Sequence, residues 1–313
     1  AASDVYKRQM NGSTLSAATV TRINTNAINI GTGTFTVNSS LSLTASDPVT
    51  FTGSGFLNVS GDLSCGALTG NAGTITLTGA FTPNAFTANT STVVFNGSGP
   101  QTIPAFNYYN LTSNSTGDRT LSGTGTVGIA GTFTPGTNSY TITGSTVDYN
   151  GTTSQTAAAF NYHNLTVSGS DVKTLSGAIT VDNDLSITGS AELASDVYQI
   201  TGNGTGIFSL GAGTTLSLGN TGDPTEVLFP LNYTSIALDN ASTIVYQSNN
   251  SQDIANLSYG NLEIDGGGVK SLTSATTINN TLTLTSGNLS IGDYDLTLYN
   301  PVFGSFDGSH MIV

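Results

Sequence analysis

Tryptophan is absent from this chain of 313 residues, cysteine occurs once, and only six residues are basic. Each shortage excludes something. The lone Cys65 rules out an intrachain disulfide and reads as a small buried apolar residue. Six basic residues against 19 acidic ones give a formal charge of -13. Nucleic acid and anionic membrane are therefore excluded as partners, because both need clustered Lys or Arg. No apolar run is long enough to cross a bilayer, so membrane insertion is not expected. Two distant histidines, His163 and His310, and one cysteine leave no zinc-site spacing. No window keeps apolar residues at helical spacing over three turns, so helix is not expected either. No signal peptide is visible, and export is inferred from surface chemistry alone.

What remains is Thr, Ser, Asn and Gly, short residues that suit strands and tight turns. Apolar residues alternate with Thr or Ser in Thr34-Phe35-Thr36-Val37, Thr74-Ile75-Thr76-Leu77 and Thr281-Leu282-Thr283-Leu284. A period of two with one apolar face describes half-buried strands. Gly, Asn or Asp closes most of these runs, as at Thr78-Gly79 and Ser286-Gly287-Asn288.

Three long segments repeat one another: 91–133, 145–187 and 242–284. Ser91-Thr92-Val93-Val94-Phe95, Gln101, Tyr108-Tyr109-Asn110-Leu111 and Arg119-Thr120-Leu121-Ser122 return 54 residues later as Ser145 to Tyr149, Gln155, Tyr162 to Leu165 and Lys173 to Ser176. They return a further 97 residues on as Ser242 to Tyr246, Gln252, Tyr259 to Leu262 and Lys270 to Thr273. Self-similarity of this kind marks a stacked array. A β-sandwich would repeat at about 100 residues around large aromatics. A parallel β-helix accounts better for the 43-residue excess between the second and third copies, as two added coils of about 20 residues. The fold class is therefore all-β, a single-stranded, right-handed parallel β-helix (β-solenoid). Residues 14–313 form one continuous array of about 15 coils, a rod on the order of 70 Å long. Residues 1–13 read as a non-native or disordered leader. The chain stops in mid-pattern at Met311-Ile312-Val313, as a segment of something longer or a subunit that stacks end to end would.

The recurring polar residues read as structural. Asn110, Asn164 and Asn261 are expected to turn corners in the left-handed conformation. Gln101, Gln155 and Gln252 are expected to satisfy backbone groups at corners, and Arg119, Lys173 and Lys270 to share one face or corner as part of the register. A fold requirement recurs in every copy, whereas a site occurs once.

Chemistry-bearing candidates are few. Asp182 and Asp184 flank Asn183, and Asp293 and Asp295 flank Tyr294, with each pair expected on one side of a strand. Paired carboxylates are what a polysaccharide-acting β-helix enzyme uses, and such an enzyme is the alternative function. Asp182, Asn183 and Asp184 are also a weak calcium candidate, since hard cations take oxygen ligands. Threonine ranks raise ice binding as a second alternative, weakened by Asp184-Leu185-Ser186 standing where another copy has Thr281-Leu282-Thr283. No catalytic residue and no cofactor is assigned.

The combined pattern of Ser-Thr-Val-x-Tyr/Phe, Gln-Thr, Tyr-x-Asn-Leu and Thr-Leu-Ser resembles the β-strand repeats of large secreted bacterial surface proteins, similar to filamentous-haemagglutinin-type and autotransporter-type adhesins. That resemblance covers residues 14–313. It implies a non-enzymatic, extracellular structural or adhesive rod: a stalk of a cell-surface adhesin or a subunit of an extracellular filament. The partners it implies are further copies of the chain, or a glycan or neighbouring cell surface. Any specific recognition is expected in the non-repeated excess or beyond the chain ends.

Overall fold

A computed structural model describes residues 14–17, 20–21, 27–304, 307 and 311–313. The leader assigned to 1–13 and His310 lie outside them. The described residues contain strands, turns and bends but no helix. Their strands pair in parallel and in register from coil to coil, winding a β-solenoid of about 14 turns. Alternation drives this. In Thr92–Phe95, Val93 and Phe95 are buried while Thr92 and Val94 face out, and the same pattern recurs in Thr74–Leu77 and Asn261–Ile264. No coil buries its apolar face alone; its neighbours must cover it.

By their internal contacts the residues fall into two compact units, 1–147 and 148–313. In the first, one sheet runs through Thr34–Val37, Phe56–Val59, Thr74–Leu77, Thr92–Phe95 and Asn110–Ser113. Its inner column is Phe35, Leu57, Ile75, Val93 and Leu111, all buried. Each such side chain contributes about 1.5–3 kcal/mol by leaving water. The seven-residue strands Leu63–Thr69 and Phe81–Thr87 pair along their length. Phe81, Phe86, Phe106 and Tyr108 then pack together, mostly edge-on, with ring centroids 5.3–6.4 Å apart. This cluster supplies the bulk that tryptophan supplies elsewhere.

The second unit corrects the expected coil count. Thr146–Tyr149 shares a sheet with Asn164–Val167, Leu185–Ile187, Ile207–Leu210 and Ser235–Leu238. Its repeat equivalent, Thr243–Tyr246, lies instead in the sheet of Gln155–Ala157, Ser170–Leu175, Ser190–Ala194, Thr215–Leu218, Asn261–Ile264 and Leu282–Leu284. The third copy has advanced by one face, so the excess is not a whole number of coils. Residues 219–234, which form an irregular lobe in place of a strand, lengthen that interval. Most inter-coil hydrogen bonds span 18 to 25 residues, whereas several that bridge the lobe span 28 to 34. Gln199 holds the lobe by donating to Leu228 O at 2.9 Å and accepting from Leu228 N at 3.0 Å. Phe229 and Tyr233 cover Phe208, with centroids 5.2 and 5.9 Å away.

Candidate functional site

The recurring glutamine and the recurring cation are neighbours. Gln101 pairs with Arg119, Gln155 with Lys173 and Gln252 with Lys270, each one coil apart. All six side chains are buried, three of them basic groups. Lys173 sits in the eight-stranded sheet and Lys270 in the sheet of Gln252–Ile254, Val269–Leu272 and Asn288–Ser290, so the single shared face expected for them is not what forms. Each cation instead lies inside its own corner.

What surrounds these cations is backbone oxygen. Lys270 Nζ donates to Gly267 O at 2.6 Å, Ser248 O at 2.7 Å and Asn250 O at 2.8 Å. Lys173 Nζ repeats the tripod on Ser170 O at 2.5 Å, Gly151 O at 2.9 Å and Thr153 O at 3.2 Å. Arg119 reaches further: its guanidinium donates to Asn114 O at 2.6 Å, Gly117 O at 2.7 Å, Gly97 O at 3.0 Å and Ser113 Oγ at 2.8 Å, among others. The glutamines serve the preceding loops. Gln101 Oε1 accepts from Gly97 N at 2.7 Å while Nε2 donates to Gly79 O at 2.7 Å. Removing an ammonium from water costs several kcal/mol. Three charge-assisted bonds at roughly 1.5–3 kcal/mol each offset that cost. Burial nevertheless pulls the Lys270 ammonium down to about 8, with the Asp265 carboxylate opposing. Lys173 and Arg119 are lowered for the same reason, opposed by Asp171 and by Tyr140 respectively.

A second polar device recurs that the repeat alone did not signal. Ala158 N donates to Tyr149 Oη at 2.9 Å, Tyr149 Oη lies 2.9 Å from Tyr162 Oη, and Tyr162 Oη donates back to Ala158 O at 2.8 Å. Tyr246, Tyr259 and Ala255 close the same cycle, with bonds of 3.0, 3.2 and 2.7 Å. In the first copy Pro104 replaces the alanine, removing the N–H, and Phe95 replaces the first tyrosine, removing the acceptor. Tyr108 still donates to Pro104 O at 3.0 Å. Donor and acceptor are lost together, which is what satisfying buried polar groups demands. Tyr149→Phe should therefore cost about 1–3 kcal/mol by orphaning the Ala158 N–H. Adding Ala158→Pro should recover most of that loss. Equilibrium denaturation of both variants checks this; a single variant as stable as the parent would contradict it.

The asparagines behave differently from expectation. Asn110, Asn164 and Asn261 begin strands, and glycines aside the left-handed conformation falls to Asn71, Asn89, Ser115, Asp171 and Asp196. Their amides instead tie coils together. Asn110 Oδ1 accepts from Thr132 N at 3.0 Å, Asn164 Oδ1 from Asn183 Nδ2 at 2.8 Å, and Asn261 Oδ1 from Asn280 Nδ2 at 2.8 Å.

The acidic candidates separate. Asp182 and Asn183 lie in a bend between Ile179–Val181 and Leu185–Ile187, so the pair does not share a strand face. Asp184 Oδ1 accepts from Ile207 N at 2.8 Å, Asn183 binds Asn164, and Asp182 O accepts from the Thr205 hydroxyl. Asp293 is in a turn and Asp295 follows a bend, both exposed. Among the described residues no three His, Cys, Asp or Glu side chains gather as a metal site. His163 is half-buried, and its carbonyl accepts from Asn183 N at 2.8 Å. Burial pushes the Cys65 thiol up to about 12, which leaves it an unreactive core residue. The threonine comparison also changes, since the strands that follow Thr281 and Asp184, Leu282–Leu284 and Leu185–Ile187, belong to different sheets. Within one sheet, Glu192, Thr215, Thr243 and Asn261 stack in register, so the rank is interrupted there too.

No protein-family model, curated protein or solved structure matches the chain.

Proposed function

We propose that this chain is a non-enzymatic structural or adhesive segment of a secreted, cell-surface protein. One observation carries the reading: the residues that recur in all three copies, Gln, the buried cation and Asn, are spent on holding coils together. Recurrence of this kind suits a regular, stacked scaffold. The outward positions are mostly short neutral side chains, as in Thr34, Thr36, Thr74 and Thr76, which suits a surface exposed to many conditions rather than one charged ligand. The chain's own copies, or a glycan or neighbouring cell surface, are the proposed partners.

Beads coated with the purified chain provide the test. They are expected to retain polysaccharide or whole bacteria without releasing new reducing ends. Release of reducing ends that disappears in Asp182→Asn or Asp184→Asn would establish the polysaccharide-acting alternative instead.

A further inference from the structure

The logic that makes the recurring residues structural also isolates a place where the third copy departs from the second. A surface groove of about 750 Å³ in the second unit is lined by Thr221, Asn249, Asp265, Ser286 and Asn288, over a floor of Gly266-Gly267-Gly268 and Gly287. Beneath that floor lies the Lys270 tripod, which the second copy shares at Lys173. Apart from Ser286, matched by Ser190, the groove side chains are not shared. Where the third copy has Asn249, Asp265 and Asn288, the second has Thr152, Ser168 and Glu192, and Thr221 comes from the irregular lobe, which has no counterpart.

Each polar side chain is already fixed by one of its atoms. Asp265 Oδ1 accepts from Ser286 Oγ at 2.6 Å and from Gly266 N at 2.8 Å. Asn249 Oδ1 accepts from Gly267 N at 3.1 Å, and Asn288 Oδ1 from Met311 N at 3.1 Å. The other half of each group is left for a ligand: a carboxylate oxygen on Asp265 and an NH2 on each asparagine, beside the Thr221 hydroxyl. The floor adds a donor. Because Gly267 O points inward to Lys270, the planar trans peptide turns the Gly268 N–H the other way. Glycine is required there: Gly268 has a φ of +69°, and a Cβ would lie 2.4 Å from the Asn250 carbonyl carbon.

We propose that this groove binds a neutral saccharide. Sugar hydroxyls donate and accept at once, which matches one carboxylate acceptor among several neutral donors. A hard cation would need several free oxygens, yet the amide oxygens are engaged and a single carboxylate oxygen remains. An acidic sugar would meet Asp265 with the nearby ammonium already saturated by three carbonyls. The proposal deepens the adhesive reading and rests on it, but its test reads binding alone, so failure here leaves the scaffold role standing.

The experiment titrates the full chain with neutral pentasaccharides of glucose, mannose, xylose and galactose, and with an oligogalacturonate, by ligand-observed NMR and calorimetry. Saturable binding of at least one neutral sugar is expected. Asp265→Asn combined with Thr221→Ala should weaken it roughly tenfold or more, equivalent to about 1.4 kcal/mol. Thr221→Ala alone, at a lobe residue, should weaken it less without altering the melting curve. Asp171→Asn at the equivalent corner of the second copy should leave it unchanged. Absence of saturable binding to all four neutral sugars, undiminished binding by the double variant, or tighter binding of the oligogalacturonate would overturn the proposal.

Discussion

Arg119→Met should destabilise the first unit by about 3–5 kcal/mol, which is among the larger effects a single substitution produces. Methionine fills much of the same space, so the loss is not a cavity. It is electrostatic. The Asn114 and Gly97 carbonyls, which accept from Arg119 at 2.6 and 3.0 Å, would lose that donor, whereas Gly117 O keeps its bond from Asn138 Nδ2 at 2.7 Å. Each buried orphan costs roughly 1–3 kcal/mol. Phe95 O suffers less, since it also accepts from Asn114 N at 2.9 Å. Arg119→Lys should recover part of the loss, because an ammonium supplies three donors and the other two copies use one. Urea denaturation followed by circular dichroism measures all three proteins. A loss below about 1 kcal/mol for the methionine variant would mean that the corner carbonyls find other donors.

Gln252→Leu should cost about 3 kcal/mol and free the lobe. The side chain is 1% exposed and serves three backbone groups: it accepts from Ser248 N at 2.9 Å and donates to Val227 O at 2.8 Å and Leu218 O at 3.2 Å. Leucine is close in size and satisfies none of them. Leu218 O keeps its bond from Gln247 N at 2.9 Å, which leaves Ser248 N and Val227 O as the principal orphans. Val227 belongs to the lobe, so the effect has a location. Hydrogen exchange should rise at Leu228 and Tyr233, whose amides donate to Gln199 and Leu231, and remain slow in Leu262 and Ile264 of the neighbouring sheet. Uniform exchange changes across the second unit would indicate that Gln252 supports the coil generally and not the lobe in particular.

Period-two alternation carried most of the fold. Val93, Leu111, Leu165 and Leu262, read as inward from their spacing, are all buried. The recurrence of Gln and a cation marked the corners, but not which way the cation pointed. Sequence favours an exposed lysine because an isolated ammonium is costly to bury. The deciding factor was the backbone of the preceding loop, whose carbonyls turn inward and create the demand that Lys173 and Lys270 meet. Counting residues overcounted coils because residues 219–234, which contain Pro224 and Pro230, replace a strand with a longer lobe. The tyrosine cycle was legible in retrospect, in the joint appearance of Phe95 and Pro104 where Tyr149 and Ala158 stand later. The groove was not, because Thr221 reaches it from a segment with no repeat to compare.

The central claim is that the recurring cations are internal struts of a scaffold and form no part of a basic surface. Amine acetylation of the native chain, read by mass spectrometry at Lys173 and Lys270, tests it most directly. Both ammonium groups are fully buried, so acetylation should be slow in the native chain and become rapid only on denaturation. Rapid acetylation of either lysine in the folded protein would place it on the surface and contradict the account.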